Sequence, residues 1–155
     1  MMKKHLKTYL ISIAVALAVG GLSSLAAGGF SGTFDSLAKP PLSPPAIVFP
    51  IVWSVLFVLM GISAATVFRS GDAGRFNALL LYGIQLFVNF FWPVLFFRLE
   101  MYTAAFFWLI LLILLVLATF ISFYKIRPAA GLLLLPYMAW LLFAAYLNLG
   151  IVILN

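Results

Sequence analysis

The sequence predicts an all-α integral membrane protein: one domain over residues 1–155, built as a bundle of five transmembrane helices. Three observations carry that expectation. Of the 155 residues, 66% are hydrophobic and only 8% are charged, more apolar surface than a soluble domain of this size can hide. The apolar residues fall into runs of about 18 or more, the length at which a helix crosses hydrocarbon. The runs are continuous rather than alternating, which excludes a membrane barrel; in lipid every backbone N–H and C=O must be paired internally, so helices remain.

The expected spans are 6–27, 44–68, 76–97, 102–124 and 129–154. At about 1.5 Å per residue each reaches across a bilayer with some tilt. Connections between the last four are short, which makes consecutive helices antiparallel neighbours. Only the first connection, residues 28–43, is long. The first span has a second reading. A basic start, an apolar run and Ser24-Leu25-Ala26 also follow the plan of a signal peptide. The run is about 20 residues, longer than a usual signal core, and favours a span.

The flanking charges set an orientation. Lys3, Lys4, Lys7, Arg69, Arg75, Lys125 and Arg127 fall on one side of the membrane, Lys39 and Arg98 on the other. The positive-inside rule then places the N-terminus in the cytoplasm and the C-terminus outside. The basic residues are divided among helix ends and form no patch, so no nucleic-acid partner is expected. The lipid bilayer is the evident partner.

Several chemistries are disfavoured. There is no cysteine, hence no disulfide or thiol chemistry, and the one histidine, His5, lies in the N-terminal tail. No metal site is expected. No span carries Asp, Glu, Lys or Arg in its interior, and such residues are the usual mark of proton relays and coupled transport. Their absence also counts against acid–base hydrolysis. No cofactor motif is present, and the enzyme reading is the weaker one.

The informative residues are polar or aromatic ones inside the spans. Gln85, Asn89 and Trp92 share one helical stripe in the third span. Phe49, Trp53 and Phe57 form another in the second, and Trp140, Ala144 and Leu147 a third in the fifth, with Tyr137 and Asn148 alongside. Counted from Pro44, Trp53 lies about 14 Å deep. The three stripes can meet in the outer half of the bundle beneath the long loop, with Lys39 and Arg98 near the mouth. Apolar and aromatic walls, a few polar groups and a lid are the plan of a ligand cavity. Plainer roles compete. Gln85 and Asn89 suit interhelical hydrogen bonds, Trp92 suits an interfacial belt, and Trp53 and Trp140 suit a packed core. Trp108 has no polar neighbour on its face and reads as a packing or lipid contact. In the first span Ser12, Ala16, Gly20 and Ser24 recur every four positions, a row that lets two helix backbones approach closely, within this chain or between copies. Gly83 offers a second, weaker point of close contact.

Three stretches together resemble the TspO/MBR family, the tryptophan-rich sensory proteins that include the mitochondrial translocator protein or peripheral benzodiazepine receptor. They are LAKPPLSPPAIVFPIVWSVLFVLMG at 37–61, QLFVNFFWPVLFF at 85–97 and LLLPYMAWLLFAAYLNLGIVILN at 133–155. The likeness runs from about Ser23 to Asn155. It implies a five-helix protein of a bacterial cell membrane, a homodimer as a rule, with no required cofactor. Its ligands would be porphyrins such as protoporphyrin IX and hydrophobic drugs of the isoquinoline carboxamide and benzodiazepine type. Carried over by position, the binding residues would be Trp53, Asn89, Trp92, Trp140, Ala144 and Leu147, joined by Phe49, Phe57 and Tyr137 from the stripes. The resemblance also implies two alternatives: light-dependent porphyrin degradation using Trp53 and Trp140 as the catalytic residues, or tetrapyrrole or lipid transport.

The lid would comprise Phe34, Lys39, Pro40, Pro41, Pro44 and Pro45. Proline fixes φ and restrains the residue before it, so these four should hold the loop extended. Pro44 or Pro45 would also suit the first turn of the second span, where a missing N–H costs nothing. The chain departs from the family in three places. Thr33 and Phe34 stand where a Trp-Tyr pair is common, and Pro93 follows Trp92 where serine is common. LNLGIVILN lacks the aromatic and basic residues of the animal cholesterol consensus, so strong sterol recognition is not expected. The lack of a buried histidine or cysteine points to a metal-free porphyrin rather than ligated haem.

Overall fold

A computed structural model describes residues 2–29 and 31–155, with Ser31 described in its backbone only. Five helical segments are long and apolar enough to cross a membrane: Met2–Ala27, Val48–Phe68, Arg75–Arg98, Tyr102–Ile126 and Pro128–Leu154. The protein is a multi-pass integral membrane protein, and no strand occurs among the described residues.

Helix α1 is Met2–Ala27 and stops where Gly28 and Gly29 turn to φ +80° and +90°. Those angles suit glycine and let the Gly29 N–H reach back to the Ser24 carbonyl at 3.2 Å. A short helix α2, Ser31–Ser36, opens the long connection to α3, Val48–Phe68. This helix starts four residues later than the sequence suggests. Pro45 begins a turn whose carbonyl accepts the Val48 N–H at 3.0 Å, and it is Pro50 that occupies the first turn of α3. The prolines do not hold the loop extended throughout: it turns at Pro41 and Leu42, and Leu42 takes a left-handed φ of +70°.

Helix α4, Arg75–Pro93, runs into a π-turn at Val94–Arg98. Pro93 has no N–H for the Asn89 carbonyl. The chain recovers by wider spacing, with the Leu99 N–H bonding the Val94 carbonyl at 3.0 Å. Helix α5 is Tyr102–Ile126. The last span is two pieces, α6 Pro128–Leu132 and α7 Leu135–Leu154. The break falls before Pro136, which cannot donate to the Leu132 carbonyl.

The helices form a ring. α1 packs closely along α3 and also meets α4, α4 lies on α5, and α5 lies on α7. The row of small residues is spent on α3 of the same chain. The Ser12 hydroxyl donates to the Gly61 carbonyl at 2.7 Å, and Ala16 is fully buried. A Cβ on Gly61 would come within 2.5 Å of the Ile13 Cα. Between α3 and α7 the backbones stay apart, and side chains fill the gap: Trp53 meets Tyr137 at 6.0 Å and Phe49 meets Trp140 at 5.9 Å between ring centres.

Charge divides along the bundle axis. The end holding the start of α1, the α3–α4 turn and the α5–α6 junction carries seven Lys and Arg residues and Asp72. The opposite end carries Lys39 and Arg98 against Asp35 and Glu100. The whole formal charge of +6 therefore sits at one end.

Candidate functional site

Tyr137, on α7, is fully buried at the centre of the bundle. Its hydroxyl accepts from the Asn89 amide at 2.6 Å and donates to the Gln85 carbonyl oxygen at 2.8 Å. Residues four apart on one helix lie one above the other, so α4 brackets a single hydroxyl with two amides. The Gln85 amide also points at the Met60 sulfur, 3.8 Å away. One turn further out, the Trp92 indole N–H donates to the Asn148 carbonyl oxygen at 3.2 Å, and the Asn148 amide donates to the Tyr102 carbonyl at 2.9 Å. Both knots tie α4 to α7 across the ring. In hydrocarbon these groups have no water to turn to, so their mutual pairing fixes how the helices face. Trp92 is buried and bonded, not a belt residue.

Beside the first knot lies a cavity of about 240 Å³ between α1, α3 and α4. Trp53, Phe57, Asn89 and Pro93 form its buried wall, Pro50 and Ser54 line it from α3, and Leu17, Gly20, Gly21, Ser23 and Ser24 line it from α1; it opens to the surface where Leu17, Gly21 and Ser54 are exposed. The helix start at Val48 puts Trp53 only about 8 Å along α3, shallower than the count from Pro44. The α1 wall is the part that pattern reading missed as a site. Its signal was present in Gly20 and Ser24, small residues that serve close approach and also leave room. The Ser23 hydroxyl is spent on the Phe90 carbonyl at 2.7 Å.

The other expected ligand residues do not line this cavity. Phe49, Trp92, Ala144 and Leu147 surround a tight slot with about 10 Å³ of free space, together with Phe34 of α2. Tyr137 stands behind Trp53 as the anchor of the knot. Trp140 borders a shallow groove of about 440 Å³ between α3 and α7, with Val52, Val55 and Phe143. Its indole nitrogen is buried without a hydrogen-bond partner. Trp108 packs on α4 and donates to the Val88 carbonyl at 2.7 Å.

At the lid end, Lys39 lies over the Phe34 ring, its nitrogen 4.8 Å from the centroid, and Arg98 caps α1 through the Ala26 carbonyl at 3.0 Å. Pro40 is buried against α7, while Pro41 and Pro45 are exposed and Pro44 is half-buried. Among the described residues no three His, Cys, Asp or Glu side chains gather as a metal site would require.

Five apolar spans, with a cavity walled by Trp53 and Phe57 between α1, α3 and α4, define a polytopic helical membrane protein. The chain belongs to the TspO/MBR family, whose pattern it matches over residues 12–154. It is 35% identical to the tryptophan-rich protein TspO of Chlorobaculum tepidum over 99% of both chains. It is 38% identical to protein CrtK of Rhodobacter capsulatus, over 95% of this chain and 90% of that one. The translocator protein of Ovis aries is 36% identical over 78% of this chain and 79% of its own.

Proposed function

We propose that this protein is a membrane receptor that binds porphyrins, protoporphyrin IX foremost, and hydrophobic aromatic molecules of the isoquinoline carboxamide and benzodiazepine type. The observation that carries the reading is the void bounded by Trp53, Phe57 and the Asn89 amide within the membrane-spanning part of the bundle. A flat π-system gains by offset or edge contact with indole and phenyl rings. The amide offers one oriented polar contact in an apolar wall, the usual composition of a small-molecule site. A porphyrin is broader than the cavity as it stands, so binding requires the bundle or its lid to open. On the same reading the protein resides in a bacterial cell membrane as a homodimer, with its basic end in the cytoplasm.

Tryptophan-fluorescence quenching by protoporphyrin IX tests this in detergent. Saturable quenching is expected, and Trp53→Ala should weaken it about tenfold, the equivalent of ~1.4 kcal/mol of lost ring contact. Non-saturable quenching, the same for this protein and an unrelated membrane protein, would refute the reading.

The second reading is photochemical, with Trp53 and Trp140 as electron donors to an excited porphyrin. The positions of the two rings separate their roles: Trp53 lines the cavity, and Trp140 lies on the α3–α7 groove. Porphyrin absorbance followed in light and in darkness decides it. Bleaching that Trp53→Phe abolishes while binding persists favours chemistry. Bleaching at an unchanged rate leaves a binder whose photochemistry is the porphyrin's own.

A further inference from the structure

Four of the residues expected to hold ligand already hold something. The Phe34 ring is 2% exposed and meets Phe49 edge-on at 4.9 Å. It shares its slot with Trp92, Ala144 and Leu147, and little space is left. Phe34 is a residue of the connection between spans, not of a span. An aromatic side chain thus reaches from the lid into the aromatic wall of the bundle.

The connection is fastened by the far end of α7. The Asn155 side chain pairs with one backbone residue in both directions: its oxygen accepts the Ala38 N–H at 3.1 Å and its amide donates to the Ala38 carbonyl at 2.9 Å. The Tyr146 hydroxyl donates to the Pro41 carbonyl at 2.7 Å. Pro40 lies flat on Gly150, where a Cβ would come within 2.5 Å of the proline ring. Between these points Leu42 is held at φ +70°, a conformation that a branched, non-glycine residue keeps only where its surroundings impose it.

We propose that Phe34 is a built-in occupant of the aromatic slot and that Tyr146 and Gly150 of α7, with Asn155 that caps it, form a latch that keeps it there. A ring-shaped ligand reaches Phe49 and Trp92 by displacing Phe34 rather than by filling an empty site. The latch is suited to release. Ala38 and Asn155, at the end of the bundle, are exposed, so breaking their hydrogen bonds exchanges them for water; Tyr146 lies within the span and gives up its single bond to the Pro41 carbonyl at a higher cost. Leu42 leaves its left-handed conformation at the same step. The consequence for ligand rests on the porphyrin-binding reading; the latch rests on geometry alone.

The experiment uses the full chain in nanodiscs and two independent readouts. Hydrogen exchange without ligand reports the latch. Asn155→Ala combined with Tyr146→Phe should raise exchange over residues 33–47 at least tenfold and leave α4 and α5 unchanged. Stopped-flow fluorescence with protoporphyrin IX reports the plug. The latch variant should bind several-fold faster than wild type, and Phe34→Ala faster and more tightly. Phe34→Leu, which keeps an apolar side chain in the slot, should fall between. Unchanged loop exchange in the double variant overturns the latch. Saturable binding with equal rates in wild type, Phe34→Leu and Phe34→Ala overturns the plug. Porphyrin binding by none of the variants, with loop exchange raised, sinks the binding reading and upholds the latch.

Discussion

Trp53 faces a void on one side, and its neighbour Phe49 faces a filled slot on the other, although both lie on one stripe of α3. The difference is in the opposing wall. Opposite Trp53 and Phe57 stand Gly20, Gly21, Ser23 and Ser24 of α1, which bring backbone close but supply little volume. Opposite Phe49 stand Trp92, Phe96 and the inserted Phe34. Aromatic residues at a membrane depth do not by themselves make a binding site. They border a void where the facing helix is too small to complete the packing, and form a core where another ring completes it.

That comparison can be broken from either side. The largest effect is expected at Gly61, because the obstructing atoms are the Ile13 backbone at 2.5 Å and cannot rotate away. Gly61→Ala should push α1 off α3 and cost about 3 kcal/mol, the upper part of the overpacking range. Thermal unfolding in detergent reads the stability, and porphyrin affinity should fall with it as the α1 wall is lost.

Next is Tyr137→Phe, which strips the hydroxyl from between Asn89 and Gln85 and leaves two buried amides short of a partner. About 2 kcal/mol of destabilisation is expected. The freed Asn89 amide also borders the cavity, so ligand selectivity between carbonyl-bearing and purely hydrocarbon aromatics should change more than overall affinity. Titrations with paired ligands of equal size check this. An unchanged selectivity would mean that Asn89 serves the helix interface alone.

Gly20→Ala comes third. Its new Cβ meets the Phe57 ring, the movable end of a side chain, so the ring can swing at a cost of about 1 kcal/mol. The swing occurs inside the cavity. Binding should weaken more than stability does, the reverse of Gly61→Ala, and comparing the two variants separates wall from scaffold. The smallest effect is expected at Trp108→Phe, which loses one hydrogen bond to the Val88 carbonyl, worth about 0.5 kcal/mol at the low end for such a bond. Ligand affinity should not move, because Trp108 lies outside both the cavity and the slot.

The spans were legible because hydrocarbon imposes a length and a composition on any helix that crosses it. The stripe of Gln85, Asn89 and Trp92 was legible because polar groups in such a helix must face protein. Helix ends were less so. Pro44 and Pro45 read as a helix start, but the Pro45 carbonyl is taken by a turn and the helix begins at Val48. Pro93 read as a departure from a family pattern, and in the fold it converts the end of α4 to a π-turn.

The site divides on the same line. The sequence by itself determined which side chains are aromatic or polar at membrane depth, and hence that Trp53 and Asn89 would turn inward; Trp92 stayed open between a belt and the interior until the fold buried it. Only the tertiary structure decided which of them border space. That depends on the separation and rotation of helices distant in the chain: Gly20 against Phe57, Phe34 against Phe49, Asn155 against Ala38. A one-dimensional pattern specifies the face a residue presents, because the helical repeat is local. The volume left opposite that face is set jointly by side chains from several helices and by a loop, and no single stretch of sequence contains it.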